Sequence, residues 1–404
     1  MDMTERLGEE QLAERAGVNV DVVRRYTEIG LLQPTDGAYS MYDVGRIRLI
    51  GSCERGGLPL EGMAQAVERG LFSFAFLDHD QYRRFGAFSD QTFGEAAAEA
   101  GLSFDLVRRV YEGLGLPIPE TEDDPIREQD RMPIRVLGMP IAFGASEEAI
   151  VRMVRVYADS LWRITQAEAQ FYRDHIEQPL VASGMPLAQA MDAASNGFGD
   201  VWNEVSDSSL VAQYHRHQES AWLSVMVARI EEALEHMGVY QRTERPSAMV
   251  FLDLSGFTRL TEERGDAAAA ALAADLAAIA QETSRQHGGR PVKWLGDGVM
   301  FRFPDPRGSV VAALEMVERT PSVGLPPAHV GVAAGPVVMQ DGDYYGKTVN
   351  LAARLSGRAG PSAVLVTTEV VEAGSGDGVR FEEIGKAELK GFSAPVVLHR
   401  ASRA

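Results

Sequence analysis

The chain has 404 residues, 45% hydrophobic and 24% charged, which suits two or three soluble domains with an ample core in each. Its net charge of −19 argues against broad electrostatic binding of nucleic acid, which depends on neutralising phosphates. No apolar run reaches the length of a membrane span; the longest candidate, 267–280, is Ala-rich and interrupted by Asp275. The single cysteine, Cys53, cannot form an internal disulfide, and the acidic start is unlike an export signal, so the expected compartment is the cytoplasm. Of 39 basic residues only Lys293, Lys347, Lys386 and Lys390 are lysines, which suggests that a compact ammonium is wanted at Lys293 and Lys390.

Residues 1–70 read as helices with a small hairpin. Residues 16–19 (AGVN) have the form of the tight turn in a helix-turn-helix, with a second helix over about 20–29. Thr35, Asp36 and Gly37 signal a turn, and Tyr39 and Tyr42 flank it like a wing. The pattern Ala16, Gly17, Asp21, Val23, Arg24, Arg25, Glu28 recurs 84 residues later as Ala100, Gly101, Asp105, Val107, Arg108, Arg109, Glu112, so one supersecondary unit is used twice. Pro117, Pro119 and the acidic run 120–124 mark a boundary or exposed loop.

On these residues, 8–63 resemble the winged-helix domain of MerR-type regulators. The match departs where DNA contacts belong. Asp21 stands where the recognition helix opens with Arg, and Ser40 where the wing carries one. Residues 1–70 hold eight Arg and no Lys against twelve acids, so DNA is not an expected partner.

From about 146 to 239 the pattern is helical, with breaks near Gly184 and at 197–199. Leu223, Val227, Ile230, Leu234 and Met237 are spaced 4, 3, 4, 3, a heptad seam that fits a partner helix or a core helix of one chain. This gives a helical regulatory domain over 71–240, with a dimer or transmission helix at about 208–239. Residues 241–246 form a short polar linker. His215 and His217 precede the seam and are candidate proton sensors, since histidine titrates near neutral pH; two solvated surface histidines are the plain alternative.

From 247 to 404 the period changes. A strand at 248–252, a helix at 266–286, a hairpin with arms 292–295 and 299–303, a helix at 308–319 and a strand at 329–334 make a β-α-β-β-α-β, ferredoxin-like pattern. The fold class is therefore multidomain: an all-α N-terminal half with a winged-helix-like start, then an α+β domain with a mainly antiparallel sheet.

The chemistry lies in three stretches of that last domain: 251–258 (FLDLSGFT), 293–297 (KWLGD) and 343–354 (DYYGKTVNLAAR). Asp253 follows the first strand and Asp297 sits at the hairpin tip; neighbouring strands bring the two carboxylates together, and a divalent cation is what makes such a pair tolerable. Singly, an Asp after a strand or at a hairpin tip is ordinarily a cap or turn residue. Ser255, Gly256, Phe257 and Thr258 form a small-residue turn into a helix, whose backbone N–H groups suit a polyphosphate. Lys347 reads as a solvated loop residue, Trp294 as packing, and Gly346 as a backbone requirement.

These 160 residues resemble the catalytic domain of class III nucleotidyl cyclases, six polar positions matching at the family's spacing. The resemblance implies that Asp253 and Asp297 bind two Mg²⁺ or Mn²⁺ ions and that Lys293 and Asp343 select adenine. It implies that Asn350 orients the ribose, Arg354 stabilises charge on the α-phosphate, and Lys390, in the ELKG stretch at 388–391, meets the terminal phosphates. It further implies a homodimer whose active sites are shared between protomers, with ATP as substrate and cyclic AMP as product. The whole arrangement resembles the soluble actinobacterial adenylyl cyclases, whose N-terminal halves are regulatory, with pH or a small ligand as candidate signals. The competing expectation is a nucleotide-sensing transcription regulator with a non-catalytic cyclase domain.

Overall fold

The computed structural model describes residues 6–78, 88–240 and 246–404. The chain divides into two units, residues 1–228 and 229–404. The linker expected at 241–246 lies, apart from Pro246, outside the described residues.

The first unit opens with helices α1 (Glu9–Ala16), α2 (Val20–Glu28), α3 (Met41–Arg55) and α4 (Leu60–Glu68). Gly17 turns the chain between α1 and α2 at φ 69°, a conformation cheap only for glycine, and the Asn19 side chain caps α2 by accepting from the Asp21 N–H at 2.9 Å. The wing is minimal: Thr35 pairs with Ala38 around a turn at Asp36 and Gly37, and Leu7 pairs with Tyr39. Tyr42, expected in the wing, lies in α3 instead, because Ser40 and Asp43 form a capping box that starts the helix. Leu12, Val23, Tyr26, Ile47 and Ile50 anchor the core of this segment.

Next come β1 (Phe88–Thr92), α5 (Phe93–Glu99), α6 (Phe104–Leu114), β2 (Pro125–Arg127) and α7 (Arg131–Ala142). The sequence repeat is a structural one. Gly101 turns at φ 67° as Gly17 does, Ser103 caps α6, and Val107 is buried like its counterpart Val23. This copy has a separate core around Leu106, Val110, Ile134 and Ile150, so residues 6–78 and the segment after β1 are two cores within one unit.

The helical remainder comprises α8 (Glu147–Tyr172), α9 (Gln178–Ala182), α10 (Leu187–Ala194) and α11 (Asp200–His236). The break near Gly184 is present, between α9 and α10. The break expected at 197–199 is not. A π-helical turn over Ser195–Gly199 carries α10 into α11, since one wide turn absorbs the glycines without ending the helix. The unit boundary at 228 falls inside α11.

The second unit contains β3 (Ala248–Leu254), α12 (Phe257–Arg264), α13 (Asp266–Gln286), β4 (Arg290–Leu295), β5 (Gly298–Phe303), α14 (Pro306–Ser322) and β6 (Ala328–Ala334). The hairpin β7 (Val338–Gln340) and β8 (Asp343–Tyr345) leads into α15 (Lys347–Ser356), followed by β9 (Val364–Thr367), α16 (Thr368–Gly374), β10 (Val379–Ala387) and β11 (Val396–Arg403). The sheet order is β10-β11-β9-β6-β3-β5-β4, and only β6 and β9 run parallel.

Alternation along β3 sorts its side chains to two faces. Ala248, Val250, Leu252 and Leu254 join Leu276, Ile279 and Val317 under α13 and α14. Met249 and Phe251 join Met300, Ala333, Val349 and Ala352 under α15. Gly331 allows α15 to lie directly on β6: a Cβ there would sit 2.2 Å from the Ser356 nitrogen and 2.3 Å from the Ala352 oxygen.

Candidate active site

Asp253 is the next residue on the α15 side of β3 after Met249 and Phe251. Its register partner on β5 is Gly298, the residue after Asp297, so adjacent strands bring the two carboxylates together. Their proximity has an electrostatic signature. Partial burial, and then the Asp253 charge, hold the Asp297 carboxyl above the usual carboxylate range. The turn at Ser255 and Gly256 follows immediately; the Ser255 N–H donates to the Pro327 carbonyl at 2.9 Å, and α12 starts at Phe257 with no side-chain cap. Thr258 is exposed in its first turn.

Lys293 pairs across β4–β5 with Met300, which places it on the α15 side of the sheet. Trp294, one residue on, packs against the opposite core, as expected. The Lys293 ammonium donates to Asp343 Oδ2 at 2.9 Å, although 50 residues separate them. Asp343 is held by the Tyr344 N–H, which donates to Oδ1 at 2.8 Å. The bond to Asp343 raises the proton affinity of Lys293, keeping it an ammonium.

Gly346, at φ 129°, admits the sharp entry into α15. Along this helix Val349, Ala352 and Leu355 are buried, while Asn350 and Arg354, one turn apart, are exposed on the other face. Neither side chain has a hydrogen bond or ion pair among the described residues, so both are available to a ligand. Lys390 lies in the β10–β11 loop, exposed, on the wall of a cavity of about 500 Å³ with Phe392 and Pro395. Leu389 and Phe392 fasten that loop to Leu351 and Leu355 of α15. The structure does not join Lys390 directly to the other site residues. Lys347, expected in a solvated loop, opens α15 and lies over the Phe392 ring at 5.9 Å.

One residue beside the site had no sequence signal. His329 is the register partner of Asp253 on β6, its Nε2 3.4 Å from Asp253 Oδ2 and its Nδ1 2.9 Å from the Ser356 carbonyl. The Asp253 bond raises its proton affinity, partly offset by burial. His215 and His217 are exposed on α11, away from any such pairing. The seam residues Leu223, Val227, Ile230, Leu234 and Met237 are also exposed, at 36–71%.

Residues 239–400 match the family described as the adenylate and guanylate cyclase catalytic domain, and residues 10–69 match the MerR helix-turn-helix regulatory family. The chain therefore carries an adenylate and guanylate cyclase catalytic domain behind a MerR-type helix-turn-helix segment. An uncharacterized protein of Mycobacterium tuberculosis is 28% identical over 367 residues, 86% of this chain and 89% of that one. A pH-sensitive adenylate cyclase of the same species is 28% identical over 319 residues, 76% of this chain and 77% of the relative. An adenylate cyclase of Streptomyces coelicolor is 26% identical over 280 residues, 69% and 70% of the two chains. The helical N-terminal half and the α+β cyclase fold agree with the expectation from sequence. Among the described residues no helix is long and apolar enough to cross a membrane.

Proposed function

We propose that the protein converts ATP to 3′,5′-cyclic AMP and pyrophosphate at two equivalent sites, each shared between the protomers of a homodimer. The observation that carries this is the Lys293–Asp343 pair, formed at 2.9 Å between two separate segments of the domain. An ammonium donor beside a carboxylate acceptor complements adenine, which presents an N1 acceptor and an N6 donor. Guanine presents the reverse, and leaving buried partners unmatched costs a wrong base about 1–3 kcal/mol per group.

Asp253 and Asp297 supply an all-oxygen carboxylate set, the donor chemistry that suits Mg²⁺ or Mn²⁺, two ions per site. Held by these carboxylates, such ions would favour loss of the 3′-hydroxyl proton to solvent, making the 3′-oxygen a better nucleophile, and would neutralise the departing pyrophosphate. Arg354 places a fixed guanidinium against charge developing on the α-phosphoryl oxygens as the O3′–Pα bond forms and the bond to the leaving pyrophosphate breaks. Asn350, one turn away, holds the ribose so that O3′ faces phosphorus. The turn at Ser255, Gly256, Phe257 and Thr258 presents backbone N–H groups to the polyphosphate, and Lys390 adds an ammonium for its terminal end. The exposed α11 seam supports a paired assembly, because a row of large apolar residues is costly to leave in water.

The N-terminal half sets the activity of this dimer, with pH or a small ligand as the signal. The relative named as a pH-sensitive adenylate cyclase resembles this chain well beyond the catalytic domain. His215 and His217, on the helix that carries the seam, are the candidate sensors. DNA is not the partner of the MerR-type segment. In α2, Arg24 is paired with Glu9 at 3.0 Å and Arg25 with Glu54 at 2.9 Å, leaving little positive charge for phosphate.

The test is product formation by the purified full chain given ATP or GTP with Mn²⁺ or Mg²⁺ at several pH values. Cyclic AMP from ATP, with GTP a poor substrate, is expected. Metal-dependent nucleotide binding without turnover would instead favour a nucleotide-sensing regulator.

A further inference from the structure

We propose that His329 is a direct ligand, alongside Asp253, of the metal ion that this site takes, and that its imidazole biases the site toward Mn²⁺ over Mg²⁺. The inference rests on the metal-binding role proposed for Asp253. Asp253 and His329 are register partners on β3 and β6 and lie on one face of the sheet. The Nε2 to Oδ2 separation is 3.4 Å. Two adjacent ligands on an octahedral ion, each about 2.1–2.2 Å from it, stand roughly 3 Å apart, so a single cation fits between these atoms with little movement.

The other ring nitrogen fixes which tautomer the neutral imidazole takes. The Ser356 carbonyl can only accept, so Nδ1, at 2.9 Å from it, carries a hydrogen and donates. A cation that displaces the Nε2 proton would then meet a lone pair directed toward Asp253. A histidine that ligates a metal commonly donates its second N–H to a backbone carbonyl in this way, which fixes both tautomer and ring orientation. That carbonyl is itself immobilised. Gly331, two residues along β6, lets the α15 backbone rest on the strand with the Ser356 nitrogen only 2.2 Å from where a Cβ would be. The His329 side chain is 13% exposed, so few ring conformations compete.

Among the described residues no three acidic or histidine side chains already stand as a metal cluster. Asp253 and His329 are therefore the preassembled part, and Asp297 completes the set from the β4–β5 hairpin. An all-oxygen set suits Mg²⁺, and one imidazole nitrogen shifts preference toward Mn²⁺ by ligand softness.

The experiment uses the full chain with Mn²⁺ and pyrophosphate, a co-ligand that brings no nitrogen. The electron spin echo of bound Mn²⁺ is expected to show nitrogen modulation in the wild type and to lose it in His329→Gln. Mn²⁺ binding by that variant should weaken by at least the roughly 10-fold that loss of even an outer-shell partner costs, with Mg²⁺ affinity, measured by competition, changed far less. Thermal melts establish that the variant is folded. Nitrogen modulation that is absent in the wild type, or that persists in His329→Gln, would overturn the inference. Asp253→Asn separates the two readings: Mn²⁺ binding that needs Asp253 but ignores His329 leaves the metal site standing and removes the histidine from it. Binding indifferent to both removes both.

Discussion

Lys293→Met removes the ammonium and keeps an unbranched stem, which makes it the most direct probe of base selection. The structure gives two different magnitudes for its two effects. Lys293 is 53% exposed and Asp343 22%, and an ion pair so open to solvent contributes about 0–1 kcal/mol to folding. Asp343 also keeps its bond from the Tyr344 N–H, so it is not stranded. In the proposed substrate complex the same ammonium donates to adenine N1, and losing a hydrogen bond to a charged group costs about 1.5–3 kcal/mol. That converts to a fall of roughly 10- to 150-fold in kcat/KM for ATP. GTP turnover should change much less, so the ATP:GTP preference narrows by nearly the same factor. Because the Asp343 bond raises the proton affinity of Lys293, the loss should be uniform from about pH 6 to pH 9. Initial rates of cyclic AMP and cyclic GMP formation, with a thermal melt of each protein, measure both effects. Wild-type kcat/KM for ATP in Lys293→Met would refute the reasoning. So would an activity loss accompanied by a melting shift of more than about 5 °C, which would mark the residue as structural.

Three further outcomes follow from other parts of the second unit and its leading helix. Asp297 titrates above its ordinary range, so the folded state holds its proton more tightly and is penalised once pH rises through that raised value. Asp297→Asn should therefore raise the melting temperature of metal-free protein near neutral pH and give no gain below the unfolded carboxylate pKa; an equal gain at all pH values would contradict this. Gly331→Ala forces a methyl into the α15 backbone and should destabilise the cyclase domain by about 1–3 kcal/mol, read as a lower denaturant midpoint for that unit. Leu223→Asp with Ile230→Asp should leave the fold intact and shift the protein toward monomer in sedimentation, with cyclase activity lost; an unchanged dimer would remove the seam from the interface.

Much of the catalytic domain was legible because its signals are local. The helix Asp266–Gln286 is a long Ala-rich stretch bounded by Gly265 and Gly288, and the hairpin between β4 and β5 announces itself at 296–298. Spacing alone suggested that Asp253 and Asp297 meet, and the β3–β5 register brings them together. The rest depends on contacts far apart in sequence. Nothing in the order of residues says that β6 lies on the far side of β3 from β5, so His329 opposite Asp253 had no signal. The late strands β9, β10 and β11 escaped notice for the same reason, being ordered only by pairing with β6 and with one another. At 195–199 the glycines read as a break, whereas a π-helical turn absorbs them. The heptad at 223–237 was legible as a seam, and its residues are exposed on α11.

The proposal most open to test is that each active site is shared between protomers, Asp253 of one acting with Arg354 of the other. The decisive measurement is cyclic AMP formation by a doubly tagged heterodimer of Asp253→Ala and Arg354→Ala chains, each inactive by itself. One of its two sites then has a complete set of groups, so about half the wild-type activity per dimer is expected with ATP and Mn²⁺. A heterodimer that forms and stays as inactive as its parents would contradict the shared site.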